Sequence, residues 1–263
     1  MTKTVVVTGA NSGIGLATAH ELAAREYKVV LACRNQGRAE QARTEILART
    51  PGADLEIALL DLASLDDVRR FAEGYDRVDA LVNNAGLSVN REQHTADGFE
   101  LEFGVNYLAH FLLTHLVPAD TVVHLSSVMH LLGRIDPNSF RGRRFYNPLT
   151  TYGQSKLANL MFNFALARRG VTTHALHPGG VDTAVYRELP RIVNAAMRIA
   201  LIGPEKPGKL IADLATDPKR QQVSGDYHSL QTPPIVSPYA KSVDRQEDLY
   251  ARSCELVGVE PLT

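Results

Sequence analysis

The sequence predicts an α/β fold of Rossmann type, a single doubly wound parallel sheet with helices on both faces, on three observations. Short apolar runs recur along the chain, several of them unbroken rather than alternating, as strands covered on both faces require. Segments with helical spacing lie between them, so the order reads β-α-β-α throughout. A glycine-rich turn follows the first run directly. In such folds ligands bind beyond the carboxyl ends of the strands, near the point where strand order reverses, so functional residues are expected just after strands.

Strands are expected at residues 4–8, 28–32, 55–60, 80–82, 121–125 and 172–176, and helices at 17–25, 38–48, 65–71, 99–116 and 152–168. No Gly/Ser linker, repeat or low-complexity tract divides the 263 residues. They read as one domain, 1–263, with a substrate lid at about 183–216. The apolar stretch inside it, residues 190–202, fits a lid, core packing or a membrane-surface helix.

A content of 44% hydrophobic and 22% charged side chains excludes disorder and fibre. With 28 basic against 29 acidic groups the net charge is −1, which excludes the cationic stripe that a nucleic acid partner needs. Two cysteines, Cys33 and Cys254, cannot build a disulfide framework and suit a reducing compartment, so a cytoplasmic location is expected. No integral membrane span is expected, because no run reaches the roughly 18 apolar residues that one requires, and no signal-peptide pattern precedes the first strand. His110, His115, His124, His130, His174 and His177 fall on separate elements rather than converging as zinc demands, so no metal is expected.

After the first strand comes Thr8-Gly9-Ala10-Asn11-Ser12-Gly13-Ile14-Gly15, spaced G-x-x-x-G-x-G rather than G-x-G-x-x-G. Three glycines at a strand-to-helix turn let backbone approach a pyrophosphate, and the helix start offers it free N–H groups. Gly9, Asn11, Ser12, Gly13, Ile14 and Gly15 are therefore candidate cofactor residues, with a purely structural tight turn as the plain alternative. At the end of the second strand, where NAD-binding domains usually offer an acid to the ribose, stand Cys33 and Arg34. An acid there would repel the extra phosphate of NADP, whereas the planar guanidinium of Arg34 can pair with it, so NADP (NADPH) is expected over NAD. The alternative for Arg34 is a solvated loop charge.

Tyr152 and Lys156 are four apart in a helical segment and so share a face. Chance supplies about 0.24 such pairs in a chain of ordinary composition, so context decides. That context is Ser126 and Ser127 straight after the fifth strand, with Asn106 inside an otherwise apolar helix. Taken singly, either serine also fits a helix cap, and Asn106 a satisfied buried amide.

Thr8 to Gly15, Asn83-Asn84-Ala85-Gly86, Asn106, Ser127, Tyr152-x-x-x-Lys156 and Pro178-Gly179 together resemble the classical short-chain dehydrogenase/reductase family, in its order. Residues 32–35, 104–114, 155–159 and 253–256 are similar to its retinol dehydrogenase-like branch. The resemblance implies an NADP-dependent oxidoreductase acting on a carbonyl or alcohol. In it Tyr152 is the acid/base and Lys156 lowers its pKa and holds the nicotinamide ribose. Ser127 orients the substrate oxygen, and Asn106 completes a proton relay through water. Asp61 and Leu62 would hold the adenine, although Asp61 also fits a cap for the helix from Leu65. Asn84, Ala85 and Gly86 would line the cleft, and Pro178, Gly179 and Thr183 would meet the carboxamide and phosphates. Subunits would pair, as a homodimer or homotetramer, through the helices that carry Asn106 and Tyr152. Ser127 and Tyr152 are 25 residues apart, longer than the common spacing, with an Arg-rich insert, 133–148, read as a solvated loop. A regulator of the same fold that binds NADP without turnover is the alternative function.

Overall fold

Seven parallel strands form one sheet in the order β3-β2-β1-β4-β5-β6-β7. They are β1 (Thr4–Thr8), β2 (Lys28–Cys33), β3 (Leu55–Leu59), β4 (Val78–Asn83), β5 (Ala119–Leu125), β6 (Thr172–His177) and β7 (Asp226–Ser229). The computed structural model describes residues 2–179, 203–230 and 233–262. Strand order reverses between β1 and β4, so the crevice of the fold opens where Thr8 and Asn83 end. The central strands are apolar on both sides because both sides are covered. Val5 and Val7 pack to one face with Leu22, Ile46 and Ile211, while Val6 packs to the other with Phe111 and Phe162.

Helices α1 (Gly13–Ala24), α2 (Gln36–Arg49) and α3 (Leu65–Ala72) follow the first three strands. The next helix, α4, begins as Leu101–Phe103, widens into a π turn at Gly104–Leu108 and ends as Ala109–Leu116. In the wide turn the Ala109 N–H reaches back five residues to the Gly104 carbonyl, a departure often found at functional sites. Helix α5 (Pro148–Arg168) is started by Asn147, whose side chain accepts from the N–H groups of Leu149 and Thr150. Later come α6 (Glu205–Thr216), the short α7 (Pro238–Lys241) and α8 (Val243–Val257).

Three expectations change. Thr183 and residues 190–202 lie outside the described residues, but the end of the expected lid is helix α6. Ile211, Ala212, Leu214 and Ala215 of α6 are buried in the core, and a Cβ on Gly208 would sit 2.7 Å from that of Ala17 on α1. That portion covers the sheet, not the substrate. The Arg-rich insert is anchored rather than only solvated: the Arg141 guanidinium lies 4.3 Å over the Phe99 ring, and Arg143 donates to Gln154 of α5 at 2.9 Å. Asp61 does not cap α3. Ser64 does, accepting from the Asp67 N–H, while the Asp61 carboxylate takes the Ala63 N–H. Helix α8 lies across α4 and α5, with Tyr250 against Phe111 (ring centroids 5.3 Å) and the Tyr107 hydroxyl 2.7 Å from Ser253.

The rings of Phe111 and Phe162 meet at 4.7 Å and tie α4 to α5 beneath the sheet. Phe162 is almost wholly buried, so Phe162→Ala is expected to lower unfolding stability by ~3–5 kcal/mol. Urea denaturation measures this, and a loss below ~1 kcal/mol would show that the contact is not structural.

Candidate active site

The crevice is built from the ends of β1, β4 and β5 and the helices that follow them. At β1, the Thr8 hydroxyl accepts from the N–H groups of Asn84 (3.0 Å) and Ala85 (2.9 Å), and the Thr8 carbonyl accepts from the Asn84 amide (2.7 Å). This ties the glycine turn to the segment after β4. Gly9 and Gly13 hold the left-handed φ values +67° and +55°, which glycine adopts without strain. A Cβ on Gly15 would lie 2.4 Å from the Gly9 carbonyl oxygen. Ser12 at the start of α1 makes no side-chain capping bond, so the first N–H groups of that helix face the turn for an anion to use. The cradle therefore fits a dinucleotide pyrophosphate. Cys33, beneath this turn, is buried, and burial pushes its thiol up to about 11, which leaves it unreactive.

Arg34 is exposed at the end of β2, beside Asn35, which caps α2. Leu62 is buried in the core near Asp61. Pro178 and Gly179 follow β6 directly, on the carboxyl edge of the sheet.

At the other end of the crevice, Lys156 is only 4% exposed. Its Nζ donates to the Leu125 carbonyl at 3.0 Å and lies 5.5 Å from the centre of the Tyr152 ring. Burial pushes the amine down to about 8, and the Glu102 carboxylate works against that shift. A Cβ on Gly86 would lie 3.3 Å from Lys156 Nζ and 3.4 Å from Asn106 Oδ1. The missing side chain thus keeps lysine, amide and cleft wall in one space. The Asn106 amide is held on three sides: Oδ1 accepts from the Leu87 N–H (2.8 Å), and Nδ2 donates to the Leu87 carbonyl (2.9 Å) and Ser155 Oγ (3.0 Å).

The two serines have separate tasks. Ser126 Oγ donates to the Lys156 carbonyl at 2.8 Å, so it is committed to the helix backbone. Ser127 Oγ accepts from the Met129 N–H and keeps its own proton to offer. The turn after it, Val128–Leu132, packs on α5 beside Tyr152 through two glycines. A Cβ on Gly153 would meet the Met129 carbonyl at 2.8 Å, and one on Gly133 would meet the Gly153 carbonyl at 2.3 Å.

Three contributors were not assigned roles from sequence. Asn159 donates to the carbonyls of Asn106 (3.0 Å) and Leu125 (3.1 Å), Ser155 supports the Asn106 amide, and His110 lies between Thr8 and Asn106. Asn159 stands three residues after Lys156 and His110 four after Asn106, so helical spacing was the available signal. Among the described residues no three His, Cys, Asp or Glu side chains could hold a metal ion, and no helix is long and apolar enough to cross a membrane.

Residues 3–192 match the family model described as short chain dehydrogenase. The chain belongs to the short-chain dehydrogenase family. Retinol dehydrogenase 12 of Bos taurus is 39% identical, with 98% of this chain and 87% of the relative covered. Retinol dehydrogenase 13 of Homo sapiens is also 39% identical, over 98% and 85%. The chain is thus an oxidoreductase of the retinol dehydrogenase-like branch, in a family that binds a nicotinamide cofactor. An uncharacterized protein from Mycobacterium paratuberculosis superimposes with a TM-score of 0.81 at 34% identity, over 99% of this chain and 95% of that one. L-sorbose reductase from Gluconobacter frateurii, crystallised with NADPH and L-sorbose, shares the fold at a TM-score of 0.69 and 19% identity, over 87% and 95%.

Because the folded-state pKa of Lys156, about 8, lies below the ordinary 10.5, the unfolded chain binds this proton more tightly and the buried ammonium destabilises the native state. Without cofactor, Lys156→Met is expected to raise stability near neutral pH by ~1–3 kcal/mol. Leu125 keeps Asn159 as a donor in that variant. The gain shrinks as pH climbs from about 8 to 10.5. Urea unfolding of both proteins across this range checks it, and a variant less stable than wild type at neutral pH contradicts it.

Proposed function

We propose that the protein is an NADP-dependent oxidoreductase that reduces the carbonyl of a moderately apolar aldehyde or ketone, and in reverse oxidises the corresponding alcohol. The observation that carries this reading is Lys156 Nζ beside the Tyr152 ring, at one end of a crevice whose other end is a glycine turn with room for a pyrophosphate.

When bound, the nicotinamide supplies the hydride for reduction and accepts it in oxidation. Tyr152 gives its phenolic proton to the substrate oxygen during reduction and takes one back during oxidation, a contribution of roughly 10²–10⁴ in rate. The Lys156 ammonium stabilises the phenolate left behind and holds the nicotinamide ribose. Ser127 orients the substrate oxygen with the proton it keeps. Lys156 then passes a proton to the Tyr152 phenolate, and Asn106, fixed by Leu87 and Ser155, holds on the remaining lone pair of Oδ1 the water that reprotonates Lys156. Val128, Leu131, Leu132, Phe145 and Leu149 expose apolar surface on the turn after Ser127 and around the start of α5. This rim supports an apolar substrate.

Arg34 supports NADP over NAD: residues 33–38 hold no acid that would repel the extra phosphate, and the guanidinium is exposed where β2 ends. The buried, unpaired Cys33 and Cys254 support a reducing, cytosolic compartment. Since cells hold NADP largely reduced, reduction is the working direction.

Protein and NADPH incubated with a panel of aldehydes and ketones are expected to consume the reduced cofactor. Tyr152→Phe should slow this by at least ~10² while still binding NADPH; equal rates would refute the mechanism. Arg34→Ala should raise the KM for NADPH about ten- to a hundredfold and leave that for NADH nearly unchanged. A wild-type protein that clearly prefers NADH overturns the choice of cofactor.

A further inference from the structure

We propose that His110 is a positioning residue, whose ring links the Asn106 carbonyl to the Thr8 hydroxyl and so holds the wide turn of α4 in register with the dinucleotide side of the crevice. The inference rests on the reading above, since it assigns the two ends of the link to catalysis and to cofactor binding.

His110 is 1% exposed and stands one turn after Asn106. Burial keeps its imidazole neutral, with the pKa pushed down to about 4, so the ring has one N–H donor and one bare acceptor nitrogen. Nδ1 lies 3.1 Å from the Asn106 carbonyl oxygen. A carbonyl can only accept, so Nδ1 carries the proton. Nε2 is then the acceptor, and Thr8 Oγ1, 3.0 Å away, donates to it.

The Thr8 hydroxyl is fully used by this arrangement. Its two lone pairs take the N–H groups of Asn84 and Ala85, and its single proton goes to His110. The other acceptor within reach, the Val82 carbonyl, is longer at 3.3 Å. The tautomer that Asn106 imposes thus decides where the Thr8 proton points, and thereby which way its lone pairs face the turn after β4. Asn159 donates to the same Asn106 carbonyl at 3.0 Å. The bulge is therefore held from α5 as well, and His110 supplies its connection to β1.

Three variants separate the two ends. His110→Asn places a donor near the Nδ1 position and keeps only the Asn106 link. His110→Gln places an acceptor near the Nε2 position and keeps only the Thr8 link. His110→Phe keeps the volume and neither link. The measurements are NADPH dissociation constants from fluorescence titration, kcat with the best carbonyl substrate, and thermal unfolding to verify folding. Loss of one buried partner is expected to cost about tenfold in the parameter it serves. His110→Asn should weaken NADPH binding more than it lowers kcat, His110→Gln should do the reverse, and His110→Phe should do both. Thr8→Val removes the hydroxyl from the other side, together with the acceptor of the Asn84 and Ala85 N–H groups, and should weaken NADPH binding at least as much as His110→Asn; unchanged binding in a folded Thr8→Val overturns the inference even if a His110 variant does not fold. A folded His110→Phe with wild-type binding and kcat overturns it, as does a set of variants whose two parameters move together in step with thermal stability. A wild-type protein that binds no NADPH sinks the functional reading itself. One that binds and turns over while His110→Phe matches it sinks only this inference.

Discussion

A lysine amine shut away from water has to be held by something, and the site is organised around that requirement. Lys156 enters the protein on α5, a helix buried nearly all round, so its Nζ cannot reach solvent by bending outward as a surface lysine does. Its partner is the Leu125 carbonyl at the end of β5. Ser126 bonds back to the Lys156 carbonyl, and Asn159 reaches Leu125 from the next turn of the helix. Strand end and helix are thereby stitched together in three places, and Tyr152, one turn earlier, is carried to the same spot. The close approach of Gly133 and Gly153 then brings the segment after Ser127 alongside. Burial weakens the hold of the amine on its proton, so the arrangement costs folding stability in order to keep a cation beside a phenol.

The opposite end of the crevice has a different constraint, which is space. The segments after β1 and β4 must touch each other, so side chains are absent where they would intrude. Gly15 has no room for a Cβ against Gly9, and Gly86 leaves open the gap next to Lys156 and Asn106. Asn106 belongs to both ends: its side chain pins the Leu87 backbone, and its carbonyl collects donors from His110 and Asn159. The wide turn of α4 lets a residue in a packed helix serve all of these partners at once.

Much of this was legible in the sequence, for physical reasons. Parallel central strands are apolar on both faces, so six of the seven stand out as short apolar runs, several of them unbroken, whereas β7 is a four-residue edge strand that starts at the exposed Asp226 and gives no such run. Helix α8 is predominantly polar and was not singled out, although its few apolar residues close over α4 and α5. Glu205–Thr216 reads from sequence as part of the lid because apolar content alone does not say which partner a helix packs against. The pairing of Tyr152 with Lys156 follows from helical spacing. The division of labour between Ser126 and Ser127 does not, since it turns on the direction of each hydroxyl. The π turn and the tautomer of His110 are likewise set by tertiary partners rather than by local preference.

The central claim is that the Lys156 amine is buried beside Tyr152 and held on a backbone carbonyl. Its most direct test is a pH titration of the Lys156 Nζ resonance by heteronuclear NMR in the cofactor-free protein. A midpoint at about 8 is the result that the buried geometry requires. A midpoint at the ordinary 10.5 would place the amine in water and leave the phenol without its cation.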